Sequence, residues 1–197
     1  MPPPPDVNPP PKSHMKLIIA SAVIIIVAIA AFVGYWVFLG PGTGGGGGSN
    51  SWIFKGAYAN FQGQETVTGL NYNITMTIHE EVLDFNSTHA QILTSTTTDT
   101  GFGTPYTFNS TSWVDLSKND YNIENGNLTR SYETTVTLGN LGTRNCIAYE
   151  YSISGGTMTV YVDKTVTFPV KFSTTSTGTY SYNFDLVLVS TNIPGLQ

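Results

Sequence analysis

The residues of this chain best able to do chemistry lie between positions 79 and 89. His79-Glu80-Glu81, Asp84 and His89 form the densest titratable cluster. Two imidazoles and a carboxylate converging on one point would hold zinc. The order of residues does not force that convergence. On a strand, His79 lies on the polar side, and nothing ties His89 to it. The cluster therefore reads as a solvated strand end and turn, with no metal. A second group of oxygen donors, Asp115, Asn119, Asp120 and Glu124, lacks the glycine and spacing of a calcium loop. It reads as a polar connection. The sequence contains no His-Glu-x-x-His, no Gly-x-Ser-x-Gly, no phosphate-binding loop and no paired cysteines. With few general bases at hand, the chain is expected not to be an enzyme and to need no cofactor.

Chemistry of another kind is offered by four Asn-x-Ser/Thr sequons at Asn73, Asn86, Asn109 and Asn127. Each is a candidate N-glycosylation site if the domain lies outside the cell. The single cysteine, Cys146, has no internal disulfide partner. It is expected to be a buried small hydrophobe on a strand, or else the donor of an intermolecular disulfide.

The elements that carry these residues are strands. Leu70, Tyr72, Ile74, Met76 and Ile78 alternate with Asn71, Asn73, Thr75, Thr77 and His79. A period of two predicts a strand with one apolar face. The pattern returns in Tyr132-Thr134-Val136-Leu138, in Ile147-Tyr149-Tyr151-Ile153 and in Tyr180-Tyr182-Phe184-Leu186-Leu188. Ser154-Gly155-Gly156 predicts a tight hairpin. Weak helical turns could occupy 113–120. The fold class is mainly β: one antiparallel domain over 52–197, as a curved half-barrel sheet or a β-sandwich.

Three segments precede that domain. Residues 1–16 are proline-rich, favour polyproline II and cannot bury a core. They read as a disordered tail, or as a docking peptide for an aromatic groove; Met15 is an alternative start. Residues 17–39 hold no charged side chain. At about 1.5 Å per residue they span roughly 34 Å, enough for one transmembrane helix. Tyr35 and Trp36 suit the interface. Lys12 and Lys16 place the N-terminus in the cytoplasm and the domain outside, at the cell membrane. The run exceeds the apolar core of a cleaved signal, although Ala28-Ile29-Ala30 offers a small-residue site. A pilin-like leader is a further alternative. Residues 40–51, rich in glycine, form a flexible linker of about 20 Å root-mean-square reach.

Charge bounds the partners. Of 8 Lys and Arg and 13 Asp and Glu, only Lys12, Lys16 and Asp6 precede residue 52, leaving six basic against twelve acidic residues in the domain. Such a balance excludes nucleic acid as a natural partner, because phosphate binding needs clustered cations. The membrane is the expected partner.

A resemblance extends this reading. Met158-Thr-Val-Tyr-Val-Asp163-Lys164-Thr165, followed by Phe168-Pro169-Val170-Lys171-Phe172 and preceded by the strand Arg144–Tyr151, resembles a hairpin of the lipoprotein-carrier-like half-barrel, the fold of LolA and mycobacterial LppX. It covers roughly residues 143–190 and its motif is short. The resemblance implies a curved sheet whose apolar concavity accepts acyl chains or other amphiphiles. The transmembrane run departs from the family, whose carriers are soluble or lipid-anchored, and puts shuttling in doubt. Two function classes stand: a membrane-anchored domain binding a lipid-like ligand, and a structural or adhesive cell-surface or filament subunit.

Overall fold

The computed structural model describes residues 53–67, 72–101, 104–116, 127–153, 155–176 and 182–197. The expected transmembrane run, the glycine linker and the proline-rich tail lie outside these residues. Among the described residues no helix is long and apolar enough to cross a membrane. The one helical element among the described residues is a single 3-10 turn, Gly139–Leu141.

Among the described residues nine strands follow one another: β1 (Tyr58–Val67), β2 (Tyr72–Phe85), β3 (His89–Asp99), β4 (Tyr106–Asp115), β5 (Asn127–Thr137), β6 (Thr143–Ile153), β7 (Gly156–Asp163), β8 (Pro169–Ser176) and β9 (Tyr182–Thr191). They make one antiparallel sheet in the order β4-β3-β2-β1-β9-β8-β7-β6-β5. A single sheet replaces the sandwich considered above. Strand β4 runs straight to Asp115, where helical turns were considered. The β4 and β5 strands, adjacent in sequence, form the two opposite edges. Every other chain-consecutive pair is joined side by side, except that β9 returns to lie against β1.

The alternation in the sequence becomes two faces. Register carries one row across the sheet from Thr98 through Met76, Gly63, Leu186, Phe172 and Val160 to Tyr149. Met76, Leu186 and Val160 are fully buried and Phe172 nearly so. The next row toward the β1 start holds Ile78, Phe61 and Leu188, also fully buried. The rings of Phe61 and Phe172 meet edge to face at 5.9 Å across the intervening strand β9. Gly63 keeps this face flat where it is most crowded. A Cβ there would come within 2.7 Å of the Asp185 carbonyl and 3.0 Å of Phe184 and Leu186.

The hairpins follow turn chemistry. Ile153 pairs with Gly156, and Gly155 takes a φ of 80° that suits glycine. The β7–β8 turn is built on Asp163, which is buried and whose Oδ1 accepts from the amides of Thr165 (2.8 Å) and Val166 (2.9 Å). An aspartate bonding the backbone two residues on is the Asx-turn. Pro169 opens β8, where it removes no ladder donor from mid-strand. Asp163→Ala strands two turn amides, and we expect a loss of about 1–3 kcal/mol in urea unfolding. The C-terminal tail closes this end of the sheet. Ile193 and Leu196 are buried, and the Arg144 guanidinium donates to the carbonyls of Leu141 (3.1 Å) and Gly195 (2.6 Å).

Candidate functional site

Register settles where each titratable residue points. His79 faces Asn60 on β1 and Ser95 on β3, on the outer face. Its Nδ1 shares a hydrogen bond with Asn60 Oδ1 at 2.7 Å, and Asn60 Nδ2 donates to Ser190 Oγ at 2.8 Å. The His79 Nε2 lies 3.6 Å from Glu81. Asn60 stands between Ser190 and the imidazole, so this relay has no base against the hydroxyl and reads as surface structure. His89 belongs to the β2–β3 turn instead. Asn86 Oδ1 accepts from the amides of Thr88 (2.9 Å) and His89 (2.8 Å), and His89 Nδ1 meets Thr88 Oγ1 at 2.9 Å. His89 pairs with Asp115, six positions along β3 from the partner of His79, or about 20 Å. The two histidines do not converge, and among the described residues no three ligating side chains could hold a metal. Of the polar connection expected after Asp115, residues 117–126 lie outside the described residues.

Glu80 behaves unlike its neighbours. It continues the even-numbered series Ile74, Met76, Ile78 and so turns inward, opposite Ala59 on β1 and Thr94 on β3. It is fully buried, with neither carboxyl oxygen in a hydrogen bond. Burial pushes its pKa up to about 8; the Thr94 hydroxyl beside it tempers the shift without reaching bonding geometry. At neutral pH Glu80 therefore keeps its proton. Glu65 lies on the same face, opposite Ile74 and Phe184, with Oε2 unpartnered and burial raising its pKa to about 6. Glu80, an uncharged acid in an apolar face, costs stability, since no hydrogen bond offsets its burial.

At both edges this inner face comes into the open. Tyr106 and Phe108 on β4 sit opposite the buried Thr98 and Thr96 but are 60% and 46% exposed. Leu128 on β5 sits opposite the buried Tyr151 and is 54% exposed. The middle of the face is closed to solvent; its β4 border exposes aromatic rings, and its β5 border exposes Leu128 beside the polar Ser131 and Glu133.

The outer face is polar. Lys171 bridges to Asp185 at 3.1 Å and lies over the Tyr161 ring at 5.6 Å. Arg130 pairs with Glu150 at 2.7 Å and stacks on Tyr132. Register turns Glu133, opposite Ile147, to the inner side at the β5 edge instead; it bridges to Lys164 at 2.6 Å in an open cleft of about 750 Å³ with Asn145 and Thr165. Cys146, fully buried, reaches this cleft. Burial first, then the nearby Asp163, raise its thiol to about 11 against the opposing effect of Arg144. Such a thiol is not a nucleophile at neutral pH. Asn86, Asn109 and Asn127 are exposed, on the β2–β3 turn, in mid-β4 and at the start of β5. Asn73 lies in β2, paired with Thr66.

The features define a class: an open, single-sheet antiparallel β-domain with one apolar face and two buried acids. No family model matches the chain, and no curated protein matches it in sequence. Seven solved protein chains align with it. One is a domain from Vibrio parahaemolyticus described as an outer membrane lipoprotein-sorting protein. It is 10% identical, with 76% of this chain and 90% of that chain covered, at a TM-score of 0.29. A likeness that slight carries no argument about fold or ligand.

Proposed function

We propose that the sheet curls into a half-barrel and that its inner face receives a lipid-like or other apolar ligand, without catalysing a reaction. The observation that carries this reading is the continuity of the inner face, from buried aliphatic and aromatic rows to the exposed Tyr106, Phe108 and Leu128 at its lips. An apolar face that continues into open apolar side chains at its borders offers a path from solvent to the interior. Chain length supports the curl. Asp115 ends β4 at one end of the sheet and Asn127 begins β5 at the other, on the far edge. In a flat nine-stranded sheet they would stand about 50 Å apart, given ~4.8 Å between strands and ~3.3 Å per residue along them. A fully extended chain between those positions reaches only about 42 Å. The edges must approach each other, and curling brings them together.

In this proposal residues 17–39 anchor the domain in the cell membrane, residues 40–51 let it reorient, and the domain lies outside, where Asn86, Asn109 and Asn127 are open to glycosylation. A structural or adhesive surface subunit is the second reading, favoured by the exposed edge strand β4.

Photolabelling tests the ligand reading. Full-length protein is incubated with a photoactivatable fatty acid, irradiated and digested, and the adducts are mapped by mass spectrometry. Adducts are expected on the peptides holding Tyr106, Phe108 and Leu128, and Phe108→Asp should lower labelling about tenfold, the effect of losing roughly 1.4 kcal/mol. Labelling confined to residues 17–39, or unchanged by Phe108→Asp, would sink the reading.

A further inference from the structure

We infer that Glu80 holds the head group of a long-chain amine taken in from the β4 edge. The inference rests on the ligand reading above and names the chemistry of the ligand's polar end. Glu80 is fully buried, and neither of its carboxyl oxygens is in a hydrogen bond. Buried polar groups in folded proteins almost always have a partner, and a buried acid without one is a candidate binding group. Register gives it a route to solvent. One line crosses the sheet from Ser110 on β4 to Thr94 on β3, Glu80 on β2 and Ala59 on β1. Burial rises along it: Ser110 is exposed, Thr94 half-buried and Glu80 closed off. At ~4.8 Å between strands, Glu80 stands only about 10 Å from the edge. The next line holds Phe108 and Thr96, whose buried hydroxyl is also unbonded. On the other side of Glu80 the inner face of β1, β2 and β9 runs apolar past Ile78, Phe61, Met76 and Leu186 toward Glu65. Glu65 lies six positions along β1 from Ala59, or about 20 Å, which leaves length for an alkyl chain.

Charge selects an amine among possible head groups. Lys171, Arg130, Arg144, His79 and His89 all lie at outward positions of their strands. Among the described residues no strand turns a basic side chain inward, so the fold gives Glu80 no counter-charge. An ammonium group supplies one, with three N–H donors for the carboxylate and for the hydroxyls of Thr94 and Thr96. As it enters, Glu80 releases its proton to solvent and pairs as a carboxylate. A fatty acid or fatty alcohol is held by its chain; only the amine gains the charged pair. The domain's twelve acidic against six basic residues also draw a cation toward it.

Two diazirine probes of equal chain length test this, a primary alkylamine and the corresponding alcohol. Each is added at sub-saturating concentration to the full-length chain in mild detergent at pH 7. Adducts on the peptides of β1 to β4 are counted by mass spectrometry. The amine is expected to label these peptides about tenfold more than the alcohol, the effect of one hydrogen bond between charged groups. Glu80→Gln keeps the volume and removes the charge, and should bring the amine down to the level of the alcohol, with the circular dichroism spectrum unchanged. Equal labelling by the two probes in the wild type, or an amine preference that survives Glu80→Gln, would overturn the inference and leave the ligand reading standing. No labelling of these peptides by either probe would overturn both.

Discussion

Replacing Glu80 by Gln should leave stability nearly unchanged at pH 4 and raise it at pH 8.5 by several kcal/mol. The sign follows from the proton. In the folded chain burial holds the Glu80 pKa at about 8, against an ordinary value of 4.5. Below about pH 4 the carboxyl is neutral in folded and unfolded chains, and its burial costs no ionisation energy. Between the two pKa values the unfolded chain releases its proton and the folded chain keeps it. Stability therefore falls as pH rises through that window, at up to 1.36 kcal/mol per pH unit, and levels off above the folded pKa. The full swing is on the order of 4–5 kcal/mol, a large part of the 5–15 kcal/mol of an ordinary domain. Gln keeps the volume and removes the ionisation. Glu65, raised to about 6, contributes a smaller fall in the same direction. Urea unfolding of wild type and Glu80→Gln at pH 4, 6, 7 and 8.5 tests this. Parallel stability curves for the two proteins would show that Glu80 is not held neutral by the fold.

Phe61→Ala should cost about 3–5 kcal/mol at any of these pH values, the usual range for deleting a buried aromatic ring. Phe61 is fully buried near the middle of the sheet, opposite Ile78 and Leu188 and edge-on to Phe172. A single-layer sheet has no second sheet to close over the gap, so the cavity persists and its full cost is felt. Val189→Ala serves as the comparison. Val189 is 40% exposed, and the change should lie within about 0.5 kcal/mol of wild type. Urea midpoints followed by circular dichroism separate the two outcomes. A Phe61→Ala midpoint as close to wild type as that of Val189→Ala would contradict the packing described for the inner face.

Glu80 also shows how much of the site was legible in the sequence. The alternation of Leu70, Tyr72, Ile74, Met76 and Ile78 predicted a strand with its even-numbered residues inward, and Ile74, Met76 and Ile78 are so placed, while Leu70 lies outside the described residues. Glu80 is the next even residue. The phase of the strand already placed it inside, yet its neighbours His79 and Glu81 suggested a polar turn. β2 runs on to Phe85, and this length, which local composition obscured, carries Glu80 into the core. Glu65 had no such signal, because Gly63 interrupts the apolar phase of β1 just before it. The Asp163-Lys164-Thr165 turn and Pro169 were legible, since turn chemistry acts over a few residues and needs no partner from elsewhere.

Taken alone, the sequence determined the local terms: strands by period two, hairpins by Gly155-Gly156 and Asp163, a buried Cys146, and the lack of any metal or nucleophile motif. Those depend on neighbours a few bonds away. The tertiary structure alone decided that β9 returns against β1, and that β4 and β5 become opposite edges. It also decided which exposed aromatics continue the inner face. Strand pairing brings together residues more than a hundred positions apart, such as Asn60 and Ser190, through backbone hydrogen bonds that every residue type can make. Their choice of partner rests on how all nine apolar faces are covered at once, and no single stretch of the chain contains that information.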